Sequence, residues 1–207
     1  MFDTFQIIGH RGFAGKYADN TLESFQKAID AGATMIELDV QLTTNYKLAV
    51  AHDQITSSSS DQLMLPDVFS EFGDSINYYV ELKTFENDVP DTKTRLTFYT
   101  INEITRNSLK QNCLIASFDD GCLKVAKQLG YPKLGTIHAK GTKSLNVRVD
   151  CPLHKLIKKP VEGLTFAWTV NDKRRMKTLM KLGVNGIVTD YPDRLAQVCE
   201  TSPVYLF

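Results

Sequence analysis

The chain alternates short apolar runs with stretches in which apolar residues recur three and four positions apart. The run FQIIGH (5–10) is a strand that reaches a histidine and then a glycine-bearing loop. NTLESFQKAIDAGA (20–33) carries Leu22, Phe25, Ala28 and Ile29 at helical spacing and is stopped by Gly32. MIELDV (35–40) is a second strand, and Asn45 turns it back into KLAVAHD (47–53). The serine-rich QITSSSSDQ (54–62) reads as a mobile loop. LPDVFSEFG is a short helix with Pro66 in its first turn, and NYYVELK (77–83) is again strand. A helix from about 96 to 110 precedes strand CLIAS (113–117), and helix DGCLKVAKQLG (120–130) precedes strand KLGTIH (133–138). SLNVRV (144–149) reads as a strand leading to HKLIKKP. The chain then runs through LTFAWTVN (164–171), helix DKRRMKTLMKLG (172–183), strand GIVTD (186–190) and a last helix, RLAQVCE. With 47–51 as the return arm of a hairpin, eight β runs alternate with helices, which predicts an α/β fold of the (β/α)8 TIM-barrel type. An open doubly wound sheet would need a G-x-G-x-x-G after its first strand, and none is there.

Length adjusts this picture. A TIM barrel typically takes about 250 residues, and this chain has 207, so the prediction is a compact copy with trimmed loops, one domain spanning 1–207. A fold of this size buries roughly 70% of its unfolded surface, so no metal is needed to hold its core, and any metal would serve chemistry. Lys+Arg and Asp+Glu balance at 24 each, which argues against a nucleic-acid or anionic-membrane partner. The expected partner is a small molecule bound in one locally charged pocket. Cys113, Cys122, Cys151 and Cys199 have no CxxC or zinc spacing. They read as small buried hydrophobes in a reducing compartment, and no run approaches about 18 apolar residues. The expectation is a cytoplasmic protein without a transmembrane segment.

The candidate chemistry falls at strand ends. Glu37 and Asp39, two apart on one strand, leave the same face. Glu81 and Lys83 share a face in VELK, His10 and Arg11 follow the first strand, and His52 and Asp53 follow the 47–51 run. In a barrel, the C-terminal ends of the strands form the catalytic face. Three carboxylates converging there would repel one another unless a divalent cation relieved them, and oxygen-only ligands favour Mg²⁺ or Ca²⁺. Arg11 offers a bidentate fork and Lys83 a point charge, which suit phosphate oxygens. Two histidines can divide the proton work between attacking and leaving oxygens. The predicted reaction is metal-assisted cleavage of a phosphodiester.

Other groups have plainer readings. Glu37 with Asp39 alone would fit a solvated strand end. His138 and His154 read as structural histidines, Lys173–Lys177 as the solvated face of a helix, and Trp168, alternating with Phe166 and Val170, as barrel core. Joint placement at strand ends is what sets His10, Arg11, Glu37, Asp39, His52 and Glu81 apart.

The segments GHRG (9–12), NTLESF (20–25), AGATMIELDVQLT (31–43), AHD (51–53), VELK (80–83), ASFD (116–119), WTVND (168–172) and GVNGIVTDYP (183–192) resemble the glycerophosphodiester phosphodiesterase family, in the family's order. The resemblance implies a (β/α)8 barrel that hydrolyses glycerophosphodiesters to an alcohol and sn-glycerol 3-phosphate with one divalent cation. It implies that His10 and His52 are the general acid and base and that Glu37, Asp39 and Glu81 are the metal ligands. Arg11 and Lys83 would then lie near the phosphate, with Trp168 in the substrate pocket.

Two departures stand out. Asp19-Asn20-Thr21 replaces the family's usual Glu-Asn-Thr, and the shorter carboxylate is expected to fall short of its usual partner, which leaves the geometry of that loop open. Only about a dozen residues, Gln54 to Leu65, follow His52-Asp53 where the family inserts some tens, so the cap over the substrate is largely absent and head-group selectivity is expected to be weak. The competing readings are phospholipase D-like action on lysolipids or sphingolipids, which an apolar rim would favour, and a non-catalytic barrel that binds phosphate esters. Retention of both histidines and all three carboxylates weighs against the latter.

Overall fold

The computed structural model describes residues 4–55, 62–141, 145 and 147–201. Among these residues eight strands run parallel: β1 (Gln6–Gly9), β2 (Met35–Leu42), β4 (Asn77–Leu82), β5 (Cys113–Ser117), β6 (Leu134–His138), β7 (Val149–Pro152), β8 (Phe166–Ala167) and β9 (Gly186–Thr189). β3 (Leu48–Val50) folds back antiparallel on β2, as the hairpin reading requires. The strands follow one another in the order β7-β6-β5-β4-β2-β1-β9-β8. The ring closes between β7 and β8 through two isolated parallel bridges, Asp150 with Thr165 and Leu153 with Trp168. This is the TIM barrel the alternation predicts.

Among the described residues six α-helices cover the outside: α1 (Leu22–Asp30), α2 (Leu65–Phe72), α3 (Thr92–Arg106), α4 (Asp120–Gln128), α5 (Lys173–Lys181) and α6 (Pro192–Glu200). Thr21 caps α1 by accepting the Ser24 N–H at 3.1 Å. α1 buries Phe25 and Ala28 on one stripe.

Strand alternation sorts the apolar residues into two cores. Ile8, Met35, Tyr79, Leu114, Ala116, Ile137, Val149, Cys151, Phe166 and Val188 fill the barrel interior. Their neighbours in sequence, among them Ile7, Ile36, Leu38, Tyr78, Val80, Ile115 and Ile187, pack outward against the helices. Because every interior position is followed two residues later by another, the carboxylates at 37, 39 and 81 are aimed into the open end of the barrel.

Three elements differ from the sequence reading. The helix read over about 96–110 runs from Thr92 to Arg106, four residues earlier at each end. The seventh strand lies at Val149–Pro152, where SLNVRV placed it at 144–149; residues 144 and 146 lie outside the described residues. Val149 and Cys151 turn inward while Asp150 faces out and pairs with His138 Nε2 at 2.9 Å, so the charged residue between two apolar ones marks the true strand. The strand read over 164–171 has regular pairing only at Phe166–Ala167, because it sits at the closing seam. The serine-rich run read as a mobile loop falls at 56–61, outside the described residues. No helix among the described residues is long and apolar enough to cross a membrane.

Candidate active site

The loop after β1 is built on unusual backbone. Arg11 has φ +50° and Gly12 φ +87°; a Cβ on Gly12 would lie 2.6 Å from the Ser24 carbonyl carbon, so only glycine fits. The Ser24 hydroxyl fastens the loop to α1 by donating to the Arg11 carbonyl (3.0 Å) and accepting from the Phe13 N–H (2.8 Å). The left-handed turn at Arg11 aims its own N–H at Glu37 Oε2, 2.7 Å away. A costly conformation held by two elements is characteristic of a functional site.

Register brings the carboxylates together. Asp39 on β2 lies directly beside Glu81 on β4, and Glu37 is one inward position earlier. One oxygen from each of the three lies within 4.8 Å of the others, a set that could hold a metal ion. At that separation each like-charge pair costs on the order of 3–4 kcal/mol at an effective dielectric near 20. Burial, and then the charge of Asp39, pushes Glu37 up to about 8, and Glu81 is raised by burial and Asp39 against the pull of Lys83. Among the described residues Glu37 Oε1, which is buried, has no hydrogen-bond partner. An unpartnered buried carboxylate oxygen among other carboxylates fits a hard divalent cation.

The two cations lean on this cluster. Lys83 Nζ is 3.0 Å from Glu81 Oε1 and 3.6 Å from Asp39 Oδ1. Arg11 Nε is 3.1 Å from Asp39 Oδ2, and Arg11 Nη1 donates to Asp19 Oδ2 at 3.0 Å, so the shorter carboxylate of this chain does reach across the loop. Asn20, buried and at φ +54°, clasps Asp39 by donating to Oδ2 (3.0 Å) and accepting the Asp39 N–H (3.3 Å).

The histidines are held differently. His10 Nδ1 is 2.6 Å from Asp190 Oδ1, at the end of β9, and its Nε2 is 4.0 Å from Glu37 Oε2. Burial would lower its pKa, but the Asp190 hydrogen bond and the Glu37 charge outweigh it and the pKa is raised. His52 Nδ1 pairs at 2.7 Å with Asp53, whose side chain is 98% exposed.

His10, Arg11, Glu37, His52, Glu81, Lys83 and Trp168 line one cleft of about 220 Å³ together with Tyr79 and Phe118. Asp39 sits just behind it with its side chain 2% exposed. The eight residues singled out in the sequence are thus brought together. Trp168 is a pocket wall as well as a barrel residue: its Nε1 donates to the Cys151 carbonyl at 2.7 Å, and Phe118 packs edge-on against it at 5.3 Å. Sequence reasoning missed Asp190, Asn171, Asn20 and Phe118. Asp190 carried a usable signal, since GIVTD ends a strand on an acid just as MIELD does. His138 pairs with Asp150 outside the barrel interior, and His154 accepts from Arg175 Nε at 3.3 Å.

The electrostatics carry a stability consequence. Glu37, Glu81 and His10 all bind protons more tightly folded than unfolded, so their stabilisation is complete below the ordinary carboxylate pKa and is lost as pH rises. The metal-free protein is therefore expected to melt at a progressively lower temperature from pH 5 to 8. Excess Mg²⁺ or Ca²⁺ should flatten that slope by favouring the ionised carboxylates. Thermal melts in EDTA and in each cation check this; a melting temperature that rises over the same range in EDTA would contradict it.

Comparisons with known proteins converge on one class. A sequence profile described as "Glycerophosphoryl diester phosphodiesterase family" matches residues 10–63, and a second with the same description matches 165–193. A glycerophosphodiester phosphodiesterase of Bacillus altitudinis is 30% identical over 245 residues, covering 94% of this chain and 98% of that protein. A glycerophosphodiester phosphodiesterase of Caldanaerobacter subterraneus is 27% identical, covering 91% and 95%. Among solved structures, a glycerophosphodiester phosphodiesterase of Parabacteroides distasonis superposes with a TM-score of 0.84 at 21% identity over 96% of this chain and 98% of that one. An Oleispira antarctica phosphodiesterase in complex with the product sn-glycerol-3-phosphate superposes with a TM-score of 0.76 at 19% identity, covering 94% and 96%. Fold and site together define a barrel phosphodiesterase. The chain belongs to the glycerophosphodiester phosphodiesterase family of enzymes.

Proposed function

We propose that this chain hydrolyses glycerophosphodiesters to an alcohol and sn-glycerol 3-phosphate, with one divalent cation and two histidines as acid and base. The observation that carries the reading is the single cleft in which His10 and His52 flank a carboxylate cluster, Arg11 and Lys83. Glu37, Asp39 and Glu81 would hold Mg²⁺ or Ca²⁺, which when bound supplies a positive charge to polarise phosphate oxygens. Arg11 and Lys83, now shared with Asp39 and Glu81, would turn part of their donor capacity to those oxygens. One histidine takes a proton from the attacking oxygen, and the other gives one to the departing alcohol, with one water consumed over the whole reaction. Trp168 and Phe118 form the apolar wall against the carbon atoms of the substrate. A neutral overall charge with a local cationic pair fits a small anionic substrate. The unmatched cysteine spacing supports a cytoplasmic setting. The test is release of glycerol 3-phosphate from a panel of glycerophosphodiesters by the purified protein; no release from any of them would overturn the reading.

Selectivity follows from the open surroundings of the cleft. It adjoins two further hollows, one along Arg11, His52 and Asp53 and one along Lys83, Phe118 and Asp119, and only about a dozen residues separate Asp53 from α2. The Bacillus altitudinis alignment spans 245 residues, more than this chain contains, so that relative carries segments absent here. Contacts then concentrate on the glycerol phosphate half, and discrimination needs contacts with the group that varies. Glycerophosphocholine, glycerophosphoethanolamine and glycerophosphoglycerol are expected to have kcat/KM values within about tenfold, or ~1.4 kcal/mol, of one another. A hundredfold preference for one head group would contradict this. Phospholipase D-like action has one feature in its favour, the half-exposed Phe118 at the rim, and choline release from lysophosphatidylcholine measured beside the panel would reveal it.

A further inference from the structure

We infer that Asp190 is the positioning residue for His10: it fixes the imidazole with its proton on Nδ1 and Nε2 turned into the cleft, and Asn171 fixes Asp190 in turn. This rests on the reading of His10 as a proton-transfer group and adds how the ring is set for it.

The contacts form a closed chain across β1, β9 and the segment after β8. His10 Nδ1 meets Asp190 Oδ1 at 2.6 Å. The other Asp190 oxygen accepts from Asn171 Nδ2 at 2.5 Å. The orientation of the Asn171 amide is itself determined, because its Oδ1 accepts both the Thr189 hydroxyl (3.1 Å) and the Asp190 N–H (3.0 Å). The backbone closes the same loop, with the His10 N–H donating to the Thr189 carbonyl and the Gly15 N–H to the Asp190 carbonyl, each at 2.9 Å. A carboxylate can only accept at Oδ1, so in the neutral ring the proton must be on Nδ1, leaving the Nε2 lone pair on the side of Glu37.

The second histidine makes the contrast. Its partner Asp53 is the next residue in the chain and its side chain is almost wholly in water, and among the described residues no second side chain grips it as Asn171 grips Asp190. Asp190 is about one-quarter exposed and engaged at both oxygens. Orientation by a carboxylate that is itself hydrogen-bonded is the usual way an imidazole is held to one tautomer.

The geometry dictates what Asp190→Asn would do. Asn171 offers an N–H, so the new carboxamide must present its oxygen there and its NH₂ to His10, which forces the neutral ring's proton from Nδ1 to Nε2. The experiment measures steady-state release of glycerol 3-phosphate, with melting temperature as the check on folding, for wild type, Asp190→Asn, His10→Ala, the double variant and Asn171→Ala. We expect Asp190→Asn to lower kcat by about 10- to 100-fold with KM within about threefold. The double variant should be no slower than His10→Ala by more than about twofold, since residues that act as one unit are not additive. Asn171→Ala, which leaves the carboxylate but frees it to swing, should cost several-fold and show the same non-additivity with His10→Ala; it decides the matter if Asp190→Asn does not fold. Wild-type kcat in Asp190→Asn, or losses that multiply with His10→Ala, would overturn the inference. If the wild-type protein releases no glycerol 3-phosphate, the functional reading falls, and ¹⁵N NMR of histidine-labelled protein then decides the inference. A neutral His10 protonated on Nδ1 in wild type and on Nε2 in Asp190→Asn supports it, and the same tautomer in both refutes it.

Discussion

Removal of divalent cations by EDTA and exhaustive dialysis is expected to abolish turnover, to below about 1% of the untreated rate, and Mg²⁺ or Ca²⁺ is expected to restore it. The expectation rests on the state of the carboxylates without an ion. Glu37 is buried beside Asp39 and Glu81, its pKa is pushed up to about 8, and its Oε1 has no partner among the described residues. Metal-free, the cluster is at once partly protonated and clamped by Lys83 and Arg11, whose charges are then spent on carboxylates instead of phosphate. A cation would relieve both conditions together, so activity and cation should be tightly linked. Glu37→Gln and Glu81→Gln should reproduce the loss while retaining shape. The assay is initial rate against free cation concentration; full activity in excess EDTA after dialysis would show that the cluster has another role.

The histidine substitutions should be nearly as severe. His10→Ala and His52→Ala are each expected to lower kcat by about 10²-fold or more while the fold persists, since both side chains lie at the cleft and neither belongs to the two apolar cores. His10 holds Asp190 and faces Glu37, so its loss also leaves a buried carboxylate less compensated; some fall in melting temperature should accompany it. His52 is 39% exposed at its side chain and, among the described residues, its side chain bonds to exposed Asp53 alone, so its loss should leave the melting temperature unchanged within about 2 °C. Near-normal kcat in either variant would mean that residue does not transfer a proton.

Much of this was legible because barrels write their geometry in short-range signals. Period-two spacing put Glu37 with Asp39 and Glu81 with Lys83 on common faces, and strand ends put the histidines beside them. What could not be read was pairing across the ring. Asn20 gives no sign in its neighbours that it will adopt a left-handed turn and clasp Asp39, because that contact depends on β2 lying next to β1. The same holds for His10 with Asp190, which are 180 residues apart. The seventh and eighth strands were misplaced or overextended for a related reason: near a closing seam pairing is irregular, and a residue such as Trp168 that joins only by a single bridge looks like regular strand in the sequence.

The separation between His10 and Asp190 has a further meaning for how the molecule is made. The acidic cluster comes from β2 and β4, neighbours in space and within the first 81 residues, and could form on a ribosome-bound nascent chain. His10, placed by the first strand, has its carboxylate partner only when the ninth is synthesised and docks beside it. A chain ending before residue 190 would therefore contain all three carboxylates of the cluster yet lack the group that holds its first histidine.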